Sequence, residues 1–88
     1  MPSRECTIVN PKGLHARAAA EVVKLVGQFK ADITIEHQGK KVSADSLIHL
    51  LTLAANCGKT ISVSTRGEDA DAALEALTNL IEQGFYET

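Results

Sequence analysis

The chain has 88 residues, 44% of them hydrophobic, 3% aromatic and 23% charged, which suits one small domain, residues 1–88, with an aliphatic core. A net charge of −2 argues against a nucleic-acid binder that works by neutralising phosphates. The longest apolar run, Leu47 to Ala55, is shorter than the roughly 20 residues that cross a bilayer, and Met1-Pro2-Ser3-Arg4-Glu5 lacks a secretory h-region, so a cytoplasmic protein without membrane insertion is expected.

Cys6 to Val9 alternates as a short strand, which Asn10-Pro11-Lys12-Gly13 then breaks. From Ala16 to Gln28 the apolar residues Ala19, Val22, Val23 and Val26 recur at helical spacing. Ile33 and Ile35 alternate with Thr34 and Glu36 as a second strand. Gln38-Gly39 is a turn, and Lys40 to Ser43 is the returning strand. A second helix is expected from Leu47 to Ala54 or Ala55, started by Ser46 and closed near Asn56 and Gly58. Ile61 and Val63 alternate with Ser62 and Ser64 in a fourth strand. The last helix carries Ala73, Leu74, Leu77, Leu80 and Ile81 on one side and Asp71, Glu75, Thr78 and Glu82 on the other. The order β-α-β-β-α-β-α, with short hairpin links, predicts an α+β open-faced β-sandwich. Its four-stranded antiparallel sheet is covered on one face by three helices.

Charge is uneven along this order. All nine Lys and Arg lie at or before Arg66, where five acids leave a balance of +4; the other six acids follow it. One end of the fold is thus suited to an acidic partner. Cys6 and Cys57 match no zinc spacing, and apolar neighbours predict buried free thiols. His37 fits a turn residue and His49 a helix-surface residue. With the histidines and cysteines spread over separate elements, neither a metal site nor a cofactor is expected.

Gly13-Leu14-His15-Ala16-Arg17-Ala18-Ala19-Ala20 is the stretch with chemistry in it. The helix from Ala16 has no Ser, Thr, Asp or Asn before it, so its first N–H groups lack a usual cap. His15 stands there instead. Uncapped N–H groups and the helix dipole favour an anion and keep a histidine neutral and nucleophilic. Arg17 can reach the same anion with a planar, multi-donor head, and the alanines leave the approach open. A neutral ring nitrogen as nucleophile, the Ala16 N–H and the Arg17 side chain for phosphoryl oxygens are what a phosphohistidine needs. The plainer alternative is a histidine that ends a loop beside a solvated arginine.

Gly13, Leu14, His15, Ala16, Arg17 and Ala19 resemble the active-site signature of the HPr family, the histidine-containing phosphocarriers of the bacterial phosphotransferase system. Ser46-Leu47-Ile48 followed by Leu50-Leu51-Thr52-Leu53-Ala54-Ala55 resembles that family's second motif, and the likeness spans nearly the whole chain. It implies a carrier that is not itself an enzyme, with His15 taking a phosphoryl group from Enzyme I and passing it to an EIIA domain. Ala18 departs from the proline usual in sugar-type members. Together with Gly84-Phe85 it resembles the nitrogen-type branch, NPr.

The second helix is apolar on more sides than a short surface helix needs. Leu50, Leu53 and Ala54 suffice to seal a core, which leaves Leu47, Ile48 and Leu51 as an exposed docking patch. The resemblance implies that this patch meets Enzyme I and the acceptor domains, with Lys24, Arg17 and His49 as a basic rim. Ser46 is a good N-cap. The resemblance also implies a possible regulatory phosphosite at Ser46 for a dedicated serine kinase. Two rivals remain: a regulator acting through its phosphorylation state without feeding transport, and a small hydrolase holding phosphate with Arg17 and orienting water with Asn10.

Overall fold

The computed structural model describes residues 2–86. Alternating inward and outward residues build four strands, β1 (Ser3–Thr7), β2 (Asp32–His37), β3 (Lys40–Ser43) and β4 (Thr60–Arg66), in one antiparallel sheet of order β1-β4-β2-β3. Three helices, α1 (Ala16–Val26), α2 (Leu47–Leu51) and α3 (Ala70–Glu82), follow the predicted element order. The expected open-faced sandwich is the observed fold.

The register explains the core. Cys6 lies opposite Ile61 on β4, and Ile35 opposite Val63, so the buried side chains of three strands face the same way. Onto that face pack Ala18, Ala19, Val22 and Val26 of α1, Leu50 of α2, and Ala73, Leu74, Leu77, Leu80 and Ile81 of α3. Glu5, Thr34, Glu36, Ser62 and Ser64 alternate onto the open face, which keeps the uncovered side polar.

Several boundaries differ from expectation for physical reasons. β1 spans Ser3–Thr7 rather than Cys6 to Val9, because its pairing with β4 begins at Ser3 and ends at Thr7. α1 ends at Val26, where Gly27 takes the C-cap, two residues short of Gln28. α2 stops at Leu51 rather than at Ala54 or Ala55. Thr52 is its C-cap, and Ala54 turns into the left-handed region at φ 51°. Ala54 is therefore exposed, and Ala55 takes its expected place in the core. A closing turn at Gly84–Tyr86 buries Phe85.

Three side chains also sit where the sequence did not put them. Thr78, expected on the polar side of α3, is buried; its hydroxyl bonds the Leu74 carbonyl and accepts from Arg4 Nη1 at 2.9 Å. Cys57, expected to be buried, is exposed in the loop after α2, with Sγ 3.8 Å from the Val9 carbonyl. Cys6 is buried as expected. Its burial, and then the charge of Glu82, push its thiol pKa up, against the opposing pull of Arg4. His37, expected in a turn, is the last inward residue of β2 and is only 7% exposed.

One close approach fixes the loop between β1 and α1. The Leu14 N–H donates to the Ala55 carbonyl at 2.8 Å, and a Cβ on Gly13 would fall 2.7 Å from that same oxygen. Gly13 also has φ 65°, which any side chain resists. The clash is with backbone, so it has no cheap relief. Gly13→Ala is expected to lower unfolding free energy by about 3 kcal/mol, measured by urea denaturation; a loss under about 1 kcal/mol would show that the loop can swing away from Ala55.

Candidate phosphohistidine site

The chain enters α1 through His15, whose backbone is extended at φ −90° and ψ −178°. That geometry is the usual one for an N-cap, and the imidazole performs the capping. Nδ1 accepts the backbone N–H of Arg17 at 3.1 Å and that of Ala18 at 3.3 Å. The entrance expected to be uncapped is thus capped by the histidine itself. An amide N–H can only donate, so Nδ1 presents its lone pair, and the neutral ring carries its proton on Nε2. The ring is half-buried, while Ala16 and Arg17 in the first turn are exposed.

Ala18 matters to this cap through its backbone. Its side chain is buried against the core, but its N–H is the second donor to Nδ1. A proline at this position would have no N–H to offer. The departure from the sugar-type pattern therefore adds one donor to Nδ1 of His15.

The loop below His15 is held from both sides. Asn10 is buried and its Nδ2 donates to the Gly13 carbonyl at 2.7 Å, while Leu14 is tied to Ala55. The Asn10 amide is thus turned to loop backbone, which removes the support for it as a water-orienting group of a hydrolase. An Asn-Pro-x-Gly turn is the sequence signal that could have revealed this brace.

α2 stands against α1 and carries the expected apolar patch. Ser46 caps it, its Oγ accepting the His49 N–H at 3.4 Å. Leu50 points into the core, whereas Leu47 is 39%, Ile48 70% and Leu51 38% exposed. His49 is exposed on the same short helix. Lys24 is exposed in the last turn of α1, nine residues from His15 and about 14 Å further along the helix axis at 1.5 Å per residue. Arg17 and Lys24 thus mark opposite ends of α1. Among the described residues no group of three or more His, Cys, Asp or Glu is placed to hold a metal ion, and no helix is long and apolar enough to cross a membrane.

Comparison with known proteins agrees with this geometry. The family profile PTS-HPr, described as the phosphotransferase-system HPr component phosphorylation site, matches residues 2–83. A phosphocarrier protein NPr of Shewanella violacea is 48% identical over 84 residues, covering 96% of this chain and 92% of its own. A phosphocarrier protein HPr of Cupriavidus necator is 39% identical, covering 99% and 98%. The crystal structure of HPr-C-His from Thermoanaerobacter tengcongensis superposes with a TM-score of 0.95 at 36% identity, over 100% of this chain and 99% of that one. A histidine-capped α1, an open-faced sandwich and full-length similarity to phosphocarriers converge: the chain belongs to the HPr family of phosphocarriers of the phosphotransferase system.

Proposed function

We propose that Nδ1 of His15 accepts a phosphoryl group from a phosphohistidine of Enzyme I and passes it to a histidine of an EIIA domain. On this reading residues 1–88 act as one cytoplasmic domain, a substrate of its partners rather than an enzyme, with no cofactor. The observation that carries it is the orientation of Nδ1, whose lone pair is aimed at the start of α1 by two backbone donors. In the transfer the Nδ1 lone pair forms a bond to phosphorus as the donor's N–P bond breaks. The donor ring keeps that electron pair, and the His15 proton stays on Nε2. The phosphoryl oxygens then replace the lone pair as acceptors for the Arg17 and Ala18 N–H groups, at the positive end of the helix dipole. Arg17 adds a mobile positive charge on the same turn, and Ala16 leaves the approach open.

Docking is assigned to Leu47, Ile48 and Leu51, with His49, Lys24 and Arg17 as polar and basic rim. Exposed apolar side chains on a helix packed against α1 support it. A nitrogen-type role, in which phosphorylation state controls other proteins, is the second reading. It is favoured by Ala18, by Gly84-Phe85 and by the 48% identity to an NPr. A serine kinase acting on Ser46 would place about two negative charges beside the docking patch.

His15→Ala is expected to abolish labelling by Enzyme I and phosphoenolpyruvate and to cost about 1 kcal/mol of stability, because the ring caps α1. Wild-type labelling of that variant would overturn the assignment. Ala18→Pro keeps α1, since proline is tolerated in a first turn, and removes one donor to Nδ1. The phosphorylated form is then expected to hydrolyse about three-fold faster, as one hydrogen bond to the phosphoryl group is lost. An unchanged half-life would remove Ala18 from the site.

Ser46 separates capping from docking. Ser46→Asp keeps a cap, so its unfolding free energy should stay within about 0.5 kcal/mol of wild type, while phosphorylation of His15 slows. Ser46→Ala loses about 1 kcal/mol of capping yet keeps near-normal acceptance. Thermal unfolding and phosphorylation kinetics on both variants check the pair. Equal rates for Ser46→Asp and wild type would mean that α2 is not the docking surface.

A further inference from the structure

We propose that His37 is a positioning residue. From the end of β2 it holds the turn that leaves α2, and through that turn the loop carrying His15. The proposal rests on the assignment of His15 as acceptor and of α2 as docking helix.

His37 is 7% exposed, and its Nδ1 lies 2.8 Å from the Leu53 carbonyl oxygen. A carbonyl only accepts, so Nδ1 carries the proton in this contact, the reverse of the arrangement at His15. His37 pairs with Lys40 in the β2–β3 register, which roots it in the sheet. Lys40 reaches the same turn, its Nζ donating to the Thr52 carbonyl at 3.3 Å. One hairpin thus supplies donors to two successive carbonyls, that of Thr52 at the C-cap of α2 and that of Leu53 just beyond it.

The next residues show why such a hold is needed. Ala54 lies at φ 51°, a left-handed conformation that a Cβ-bearing residue resists. Such a conformation persists only where its surroundings impose it. Ala54 is bracketed by Leu53, whose carbonyl takes the His37 proton, and by Ala55, whose carbonyl takes the Leu14 N–H at 2.8 Å. Leu14 is covalently next to His15. The connected series is therefore β2, His37, Leu53, the strained Ala54, Ala55, Leu14 and His15, with the exposed patch of α2 on the same segment.

The test uses three variants of the full chain. His37→Phe keeps a ring and loses the donor. His37→Asn places an amide nitrogen where Nδ1 stands, and His37→Gln places one a bond further out. Phosphorylation by Enzyme I and phosphoenolpyruvate gives KM and kcat for the carrier, and hydrogen exchange gives protection of the Leu14 amide. For His37→Phe, KM is expected to rise about five-fold with kcat within about two-fold of wild type, and the Leu14 amide to exchange faster. His37→Asn is expected to restore both. Wild-type KM and Leu14 protection in His37→Phe would overturn the proposal, as would failure of His37→Asn to differ from His37→Phe, since restoring the donor would then recover nothing. Should His37→Phe not fold, the comparison of Asn with Gln decides, and equal Leu14 protection in those two overturns it. If wild-type protein is not labelled at His15, the acceptor assignment fails, and Leu14 exchange still decides whether His37 holds the loop.

Discussion

The hydrogen bond from the Leu14 N–H to the Ala55 carbonyl ties two segments together at the residue next to His15. On one side is the β1–α1 loop, which ends in His15; on the other is the exit of α2, which ends the apolar patch. α2 has five residues, too few to persist without tertiary contacts. Its position follows from Leu50 in the core, from Ser46 at its start and from the turn through Ala54 at its end. Gly13 is what permits the join, because any Cβ there would meet the oxygen that Leu14 must reach. A side chain absent at one position thus helps set the spacing between His15 and α2.

The cap at His15 gives this join its chemical use. Serine or aspartate at the same place would satisfy the same N–H groups through an oxygen with no further role. Imidazole satisfies them through a nitrogen lone pair, which on the proposed reading is also the nucleophile. The donors that orient the ring before transfer then face the phosphoryl oxygens after it, so no large rearrangement separates the two states. Little beyond positioning and electrostatics is required for such a transfer. That fits a site made from one ring, the first turn of a helix and an exposed arginine.

Much of this was legible in the sequence because it is periodic. Ile33 and Ile35, Ile61 and Val63, and the spaced aliphatic residues of α1 and α3 announce their elements and their inward faces. The motif around His15 announced the family, and Leu47, Ile48 and Leu51 were placed outward by elimination once Leu50 was placed inward. What was missed depends on tertiary partners. His37 continues the Ile33–Ile35 alternation, but a polar side chain next to a Gln-Gly turn suggests exposure until the Leu53 carbonyl is seen. Alanine favours helix, so nothing local in Ala54 foretells a left-handed turn three residues after Leu51. Histidine is an uncommon cap, which made the start of α1 look open. Thr78 interrupts an apolar face and looks external, until its hydroxyl is found bonded within α3 and to Arg4.

Charge completes the division of surfaces. Three of the six acids that follow Arg66, Asp71, Glu75 and Glu82, lie exposed on α3, and Asp69 stands at its N-cap. Arg4 of β1 ties into that helix through Glu75 at 3.3 Å and Thr78. An exposed pair of this kind adds little stability, but it leaves one fewer unpaired base on the acidic side. Arg17 and Lys24, exposed toward opposite ends of α1, belong to the other side of the charge division. On the proposed reading an acidic partner is therefore favoured at α1 over α3, although the net charge of the whole chain is negative. Such steering raises association rates without adding a large buried area. A carrier that, on the proposed reading, engages a donor, releases it and engages an acceptor through one surface is served by that balance, since a wider apolar interface would slow the release that each cycle requires.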